Sequence, residues 1–275
     1  MSNENNMQFT EAEAKTVSKL IGAEQLFAII SKRTMLPYVE CDQETFDDQV
    51  VVFEKPEYLQ NTVVRLAEAK NPIDVVVIPQ KDRLNFFSSL CTMGVNCVLL
   101  NPGTEEEGRI QLDRLVKAPK GVTPDGQPWV ENPALHLTAI YFMQAIARNV
   151  NKEMTQELAD MREEMIAHYS TGNFIIMLNE QGQLPIMKFP NGDVYQPIFT
   201  DLFEASKFKV EGATMRAIVP AANVPNILSP ESKGVIVNPR GVALQLPIIR
   251  QAPNPQQNPQ QAPAAAPETP AEENE

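Results

Sequence analysis

KGVIVNPRGVALQL, residues Lys233–Leu246, is the stretch from which the fold of this chain can be worked out. A β-branched run, Val235–Val237, is followed by Asn-Pro-Arg-Gly, with proline and glycine at the second and fourth positions that a type I turn favours. A residue before proline avoids the α region, which predicts an extended Asn238. Alternating apolar residues then predict a returning, half-buried strand that ends at Leu246.

Three pairs of segments in the chain resemble each other and occur in the same order. A looser copy of the first stretch, CVLLNPGTEEEGRIQL, occupies Cys97–Leu112, where Gly103 after Pro102 indicates a type II turn. The matched pairs are Gln49–Leu59 with Tyr195–Glu204, Ile73–Pro79 with Thr214–Pro220, and Cys97–Pro102 with Gly234–Pro239. Three matches in one order predict a duplicated unit, with one hydrophobic core on each side of Trp129.

The predicted fold class is α+β, with two tandem mixed-sheet units, flanking helices and a disordered C-terminal tail. Residues 1–118 form a divergent unit with an N-terminal helix, and 133–250 form a second unit with two leading helices. Residues 119–132 contain three prolines and two glycines without periodicity, which predicts a linker. Residues 251–275 are mostly Pro, Gln, Ala and Glu and should remain disordered.

Local patterns predict several individual elements. A capping box at Thr10 and Glu13 predicts a helix that runs to about Lys32. A helix over Glu57–Lys70 is expected to provide a parallel crossover. Asn173–Leu178 and Leu184–Phe189 are expected to pair as a hairpin. Pro197 within Val194–Phe199 indicates an edge strand or a strand end.

Composition restricts the classes of partner and the compartment. The formal net charge is −12 and the isoelectric point is about 4.8, so a general binder of nucleic acid or of an anionic membrane is not expected. The first fifteen residues lack the pattern of a secretory signal, and no run of 18 apolar residues occurs. Three cysteines suit a reducing compartment, and we predict a cytoplasmic protein.

Motifs that carry known chemistry are missing from the sequence. It contains no nucleophile elbow, phosphate loop, dinucleotide fingerprint or zinc-protease helix. His136 and His168 are interpreted as surface or capping residues of helices, and Cys91 and Cys97 as buried thiols. We therefore predict a protein that is not an enzyme and that has no catalytic residue, metal or cofactor.

The second unit resembles the N-terminal domain of the enhanced serine sensitivity protein B (SseB) family. The resemblance lies in Gln183–Met187, in Val194–Asp201 with its strand that ends in Phe-Thr-Asp, and in Gly234–Gly241 with its apolar strand and Asn-Pro-x-Gly. The first unit keeps Asn101-Pro102-Gly103 but has Glu54-Lys55 where the second has Thr-Asp. The resemblance implies a bacterial cytoplasmic protein with a regulatory or binding role, connected with serine and homoserine metabolism, and supplies no catalytic residue.

Five residues form the candidate binding surface: Phe199, Thr200, Asp201, Asn238 and Arg240. One interpretation is structural, with Thr200 and Asp201 capping a helix and Asn238 shaping a turn. The other is a loop-lined pocket or partner surface at one end of the sheet. The predicted function is a non-enzymatic binding or regulatory module for an unknown protein or small molecule. A protein-interaction scaffold and an enzyme of unrecognised type remain alternatives.

Overall fold

The computed structural model describes residues 9–118, 120, 121, 123, 126–151, 153–208 and 213–248. The predicted tail, 251–275, and parts of the predicted linker lie outside these residues. Helices and several mixed sheets make up the described part of the chain, so the predicted α+β class is confirmed.

The first half of the chain folds around one sheet. Its elements are α1 (Glu11–Gly22), β1 (Gln25–Ser31), β2 (Val39–Cys41), β3 (Asp48–Phe53), α2 (Gln60–Glu68), β4 (Ile73–Pro79), α3 (Arg83–Thr92), β5 (Cys97–Leu100), β6 (Gly108–Gln111) and α4 (Leu112–Leu115). The strands are ordered β4-β1-β3-β5-β6, with β2 paired to β3. The β3–β5 pair is parallel and the other pairs are antiparallel.

The second half repeats this order of strands. Its elements are α5 (Pro133–Arg148), α6 (Gln156–Thr171), β7 (Asn173–Asn179), β8 (Met187–Lys188), β9 (Val194–Ile198), α7 (Leu202–Lys207), β10 (Ala213–Pro220), α8 (Val224–Ile227), β11 (Gly234–Val237) and β12 (Leu244–Pro247). A β10-β7 sheet meets a β12-β11-β9-β8 sheet at one bridge, Ile175 to Phe199. The combined order β10-β7-β9-β11-β12 matches β4-β1-β3-β5-β6, and the β9–β11 pair is parallel like β3–β5.

The register of the strands agrees with the matches found in the sequence. Phe27 lies opposite Phe53 in the first unit, and Ile175 lies opposite Phe199 in the second. Likewise Pro79 pairs with Gln25, and Pro220 pairs with Asn173. We call residues 25–111 and 173–247 the first and second units, because their strands correspond one to one.

The predicted helix from Thr10 to Lys32 is wrong in its second half. The capping box is present, with the Glu13 amide donating to Thr10 Oγ1 at 3.2 Å, but the helix ends at Gly22. Gln25–Ser31 is strand β1, in which every residue after Gln25 is buried. A strand buried on both faces has no alternation, so its apolar run looks like a continuation of the helical stripe.

The predicted hairpin of the second unit is also wrong. β7 pairs with β10, and the only strand within Leu184–Phe189 is β8, which pairs with β9. Pro197 is the penultimate residue of β9, so the strand end that it indicated is confirmed, while its other side pairs with β11 opposite Ile236. The amide and the carbonyl of Phe199 both form hydrogen bonds with Ile175. The backbone nitrogen of Pro197, two residues earlier, therefore points to the same side of β9. No described strand pairs with β9 at that position, so no ladder hydrogen bond is lost there.

The predicted parallel crossover is present and leads to the predicted strand, but its helix is shorter than expected. A 3₁₀ turn over Pro56–Leu59 precedes α2, which ends at Glu68. The chain then enters β4, which runs in the same direction as β3 but pairs with β1, since β1 lies between them. The parallel β3–β5 pair is therefore joined through α2, β4 and α3 together.

The hydrophobic core crosses the boundary between the units, unlike the two separate cores that the sequence suggested. One cluster contains Leu26 and Val52 of the first unit, Ile140 of α5, and Phe174 and Val235 of the second unit. Smaller clusters cover the other face of each sheet, around Phe53 and Phe199 respectively. Helix α5 is thus a shared element that packs on both units.

Gln144 of α5 ties the second half of the chain to the first. Its side chain is buried and donates from Nε2 to the Val39 carbonyl at 2.9 Å, while Oε1 accepts from the Val39 amide at 3.1 Å. We expect Gln144→Ala to lower the free energy of unfolding by about 3 kcal/mol, because two backbone groups lose their partner inside the core. Urea unfolding measures this loss, and Tyr141→Phe, which removes only a half-buried hydrogen bond to Asp48, is the milder control.

Candidate functional site

A cluster of polar side chains lies where the parallel strands β9 and β11 end side by side. It consists of His136, Thr200, Asp201, Glu204 and Asn238, none of which is more than 2% exposed. Parallel strands bring their carboxyl ends to the same edge of a sheet, which places Thr200 beside Asn238 although 38 residues separate them. We call these five residues the polar cluster.

Asn238 links the ends of the two strands. Its Oδ1 accepts from the Thr200 amide at 3.0 Å, and its Nδ2 donates to Thr200 Oγ1 at 2.7 Å. Its φ of 48° is left-handed, so the prediction of an extended Asn238 is wrong. Asparagine tolerates this conformation better than most residues, and the two hydrogen bonds hold it there. The predicted turn is present, since the Gly241 amide donates to the Asn238 carbonyl.

Asp201 begins helix α7 as the sequence predicted. Its Oδ1 accepts from the Glu204 amide at 3.0 Å, and its Oδ2 accepts from Thr200 Oγ1 at 2.7 Å. Burial alone would raise the pKa of this carboxyl group. Hydrogen bonds and charge from His136, together with the Glu204 amide and Thr200, outweigh burial, and the pKa of Asp201 is lowered. Asp201 is therefore a buried, ionised N-cap.

His136 joins the polar cluster from helix α5, which the sequence interpretation missed. Its Nδ1 lies 3.5 Å from Asp201 Oδ2 and 3.4 Å from Thr200 Oγ1, and its Nε2 lies 4.0 Å from Glu204 Oε1. At 1% exposure it is not a surface residue. One signal was available, because His136 shares a helix face with Ile140 and Met143, which are both buried.

Glu204 forms the outer side of the polar cluster. One of its carboxylate oxygens pairs with Lys207, one turn further along α7. A Cβ added to Gly241 would lie only 2.6 Å from Glu204 Oε2. A larger side chain at position 241 would therefore push the Glu204 carboxylate out of its present position.

In the first unit an asparagine side chain also links two strand ends, but its partner is a different residue. Asn101 is also left-handed, with φ of 49°, and its Oδ1 accepts from the Glu54 amide at 3.0 Å. Its Nδ2 donates to Glu54 Oε2 at 2.8 Å, so Glu54 takes the place of Thr200. Glu54 then pairs with Lys19 of α1 at 3.3 Å. The link between the strand ends is thus neutral and buried in the second unit, but charged and partly exposed in the first.

The five predicted surface residues do not form one surface. Thr200, Asp201 and Asn238 are hydrogen-bonded to one another inside the protein, and Phe199 packs in the core against Phe208. Arg240 is exposed, and no ion pair of its side chain occurs within the described residues. A partner approaching this end of the sheet would meet Arg240 and the turn, and would not meet the buried residues.

Comparisons with known proteins identify no family. No protein-family profile and no curated protein matches the sequence. Among solved structures, Tic22 from Plasmodium falciparum is similar at 14% identity over 80% of this chain and 90% of that chain, with a TM-score of 0.21. The Anabaena Tic22, described as a protein of protein transport, gives 10% identity over 79% and 85%, with a TM-score of 0.20. Scores this low support no inference about fold or function.

Neither a membrane span nor a metal-binding group is found in the described ranges. None of the helices there is both long enough and apolar enough to cross a bilayer. Within the same ranges, no group of three or more His, Cys, Asp or Glu side chains is arranged to hold a metal ion.

Proposed function

We propose that this chain is a non-enzymatic binding or regulatory module of the SseB type that acts in a bacterial cytoplasm. The proposal rests on the contrast, at the ends of β9 and β11, between buried polar residues and an exposed arginine beside them. The polar cluster is hydrogen-bonded inward, and the turn beside it presents Arg240 to solvent. A rigid turn that holds an exposed arginine is suited to binding rather than to chemistry.

Arginine suggests the chemistry of the partner. A guanidinium group binds carboxylates and phosphates through paired hydrogen bonds, and Arg240 has no carboxylate partner among the described residues. The proposed partner is a protein or small molecule with an anionic group. The link to serine and homoserine metabolism that the resemblance implies is compatible with this, since amino acids carry such a carboxylate.

A scaffold is the second candidate, and the shared core favours it. Helix α5 packs against both units, so their outer surfaces are held in one arrangement. An enzyme would need a cavity that opens onto convergent carboxylates. Asp201 and Glu204 do converge on His136, but three cavities of about 430 to 740 Å³ in the described chain are lined by other residues.

The proposal is tested with Arg240→Glu. Affinity purification with mass spectrometry and a thermal-shift screen of metabolites are run on the wild type and on this variant. We expect the bound partner to be lost, or its affinity to fall at least about tenfold, as removal of a charged hydrogen bond predicts. The melting temperature should stay unchanged, because Arg240 is exposed.

Lys188→Glu makes the same charge change at another exposed site of the second unit and serves as the control. Equal binding by the wild type and Arg240→Glu would contradict the proposal. A ligand that is turned over would support an enzyme, and a protein partner whose binding does not depend on Arg240 would support a scaffold.

A further inference from the structure

An apolar groove of about 740 Å³ runs between helix α6 and strand β12. Helix α6 contributes one wall, with Arg162, Ile166 and Tyr169, and the segment Gln245–Ile248 contributes the other. Phe142 and Tyr195 also line it. Ile166 is 51% exposed, so a large apolar side chain lies open to solvent here.

The corresponding place in the first unit holds a smaller and more strongly charged cavity of about 420 Å³, whose lining includes Lys15, Lys19 and Glu106. Helices α1 and α6 each precede the first strand of their unit, and β6 and β12 are the corresponding edge strands. In the first unit α1 packs directly on β6, so closely that a Cβ on Gly108 would lie 2.2 Å from Thr16 Oγ1. The second unit has a larger and mostly apolar groove at the equivalent position. The comparison indicates more room for an apolar segment of chain in the second unit than in the first.

We propose that the chain's own proline-rich segment, residues 249–264, binds in this groove. Ile248, the last residue of the described part, itself lines the groove, and twenty-seven residues follow it. In a polyproline II conformation sixteen residues extend about 50 Å, at 3.1 Å each. A helix of the length of α6 extends about 24 Å, so the segment can turn back and cover the groove.

The composition of the segment matches the walls of the groove. After Ile249 and Arg250, the segment carries no charge and consists of Pro, Ala, Gln and Asn from Gln251 to Ala264. Proline rings pack well on aromatic side chains such as Tyr169 and Tyr195, and proline has no amide hydrogen to leave unpaired. The carbonyl groups of such a segment need donors, which Arg162 and Gln245 can supply.

Because the segment is covalently joined to Ile248, which lines the groove, weak binding is enough to fill the groove. A short flexible connection gives an effective concentration of the order of millimolar, so a segment with a millimolar dissociation constant fills about half of the grooves. Polyproline II has no internal hydrogen bonds, so the segment needs no fold of its own before it binds. A free proline-rich ligand would have to compete with it, which gives the groove a built-in competitor.

The test uses the full-length chain with ¹³C-labelled methionine methyl groups. Met154 and Met165 line the groove, and Met35, an exposed residue of the first unit, is the reference. The wild type is compared with a chain of equal length in which Pro253, Pro255, Pro259 and Pro263 are all replaced by glycine. We expect the signals of Met154 and Met165 to differ between the two chains and that of Met35 to coincide.

A synthetic peptide of residues 249–264 supplies the second measurement. Added to the glycine variant, it should move the Met154 signal towards its wild-type position with a dissociation constant of the order of millimolar, and Ile166→Glu should abolish this movement. The proposal is overturned if Met154 is the same in both chains and does not respond to the peptide. It is also overturned if the wild-type signal changes with protein concentration, since the segment would then come from a second copy.

Discussion

Replacing Asn238 with alanine is expected to lower the free energy of unfolding by about 4 kcal/mol. The Thr200 amide would lose its acceptor inside the protein, a loss of about 1–3 kcal/mol. Thr200 Oγ1 would also lose its donor, and alanine fits a φ of 48° less well than asparagine. Urea unfolding monitored by circular dichroism measures the change.

Asn101→Ala is the matched variant of the first unit. It removes the equivalent hydrogen bonds to Glu54, but the Glu54 side chain is partly exposed, so water can replace one of them. We therefore expect a smaller loss, about 2 kcal/mol. Equal and negligible losses in both variants would show that these asparagines do not hold the strand ends together.

Asp201→Ala is expected to lower the free energy of unfolding by about 4 kcal/mol at neutral pH. Helix α7 would lose its N-cap, whose Oδ1 accepts from the Glu204 amide, and the buried Thr200 hydroxyl would lose its acceptor, each at a cost of about 1–3 kcal/mol. Asp201→Asn keeps an oxygen that can cap the helix but removes the charge, so it should lose less. Similar losses for the two variants would assign the whole effect to the charge.

The lowered pKa of Asp201 gives this effect a definite dependence on pH. A carboxyl group whose pKa is lower in the folded state stabilises the fold above its unfolded value, 3.8. This stabilisation is lost as the pH falls through the lower folded value. The difference in stability between wild type and Asp201→Asn should therefore shrink as the pH falls from 3.8 through the lower folded value. A difference that stays constant down to the lowest pH tested would contradict the lowered pKa.

Local patterns were sufficient where neighbouring residues decide the structure. Two strands flanking an Asn-Pro-x-Gly turn were predicted from one short stretch, and β11, the turn and β12 are found there. The capping box at Thr10 and the cap at Asp201 were predicted for the same reason. The order of the three matched segments was enough to anticipate that both units would have the same arrangement of strands.

Predictions failed where distant parts of the chain decide the structure. Strand β1 was taken for helix because its burial on both faces depends on strands and helices that come later in the chain. Asn238 is left-handed because of Thr200, which overrides the local preference of a residue before proline. His136 was placed on the surface because its partner Asp201 lies 65 residues away in sequence. No local pattern contains that information.

Hydrogen exchange at two backbone amides tests most directly whether the chain contains two copies of one asparagine-linked unit. The Glu54 and Thr200 amides lie just beyond strand ends, where unpaired amides exchange within the dead time of an NMR experiment. Each donates to an asparagine side chain, and we expect both to be protected and each to lose protection only in the asparagine variant of its own unit. Rapid exchange of both amides in the wild type would contradict the account.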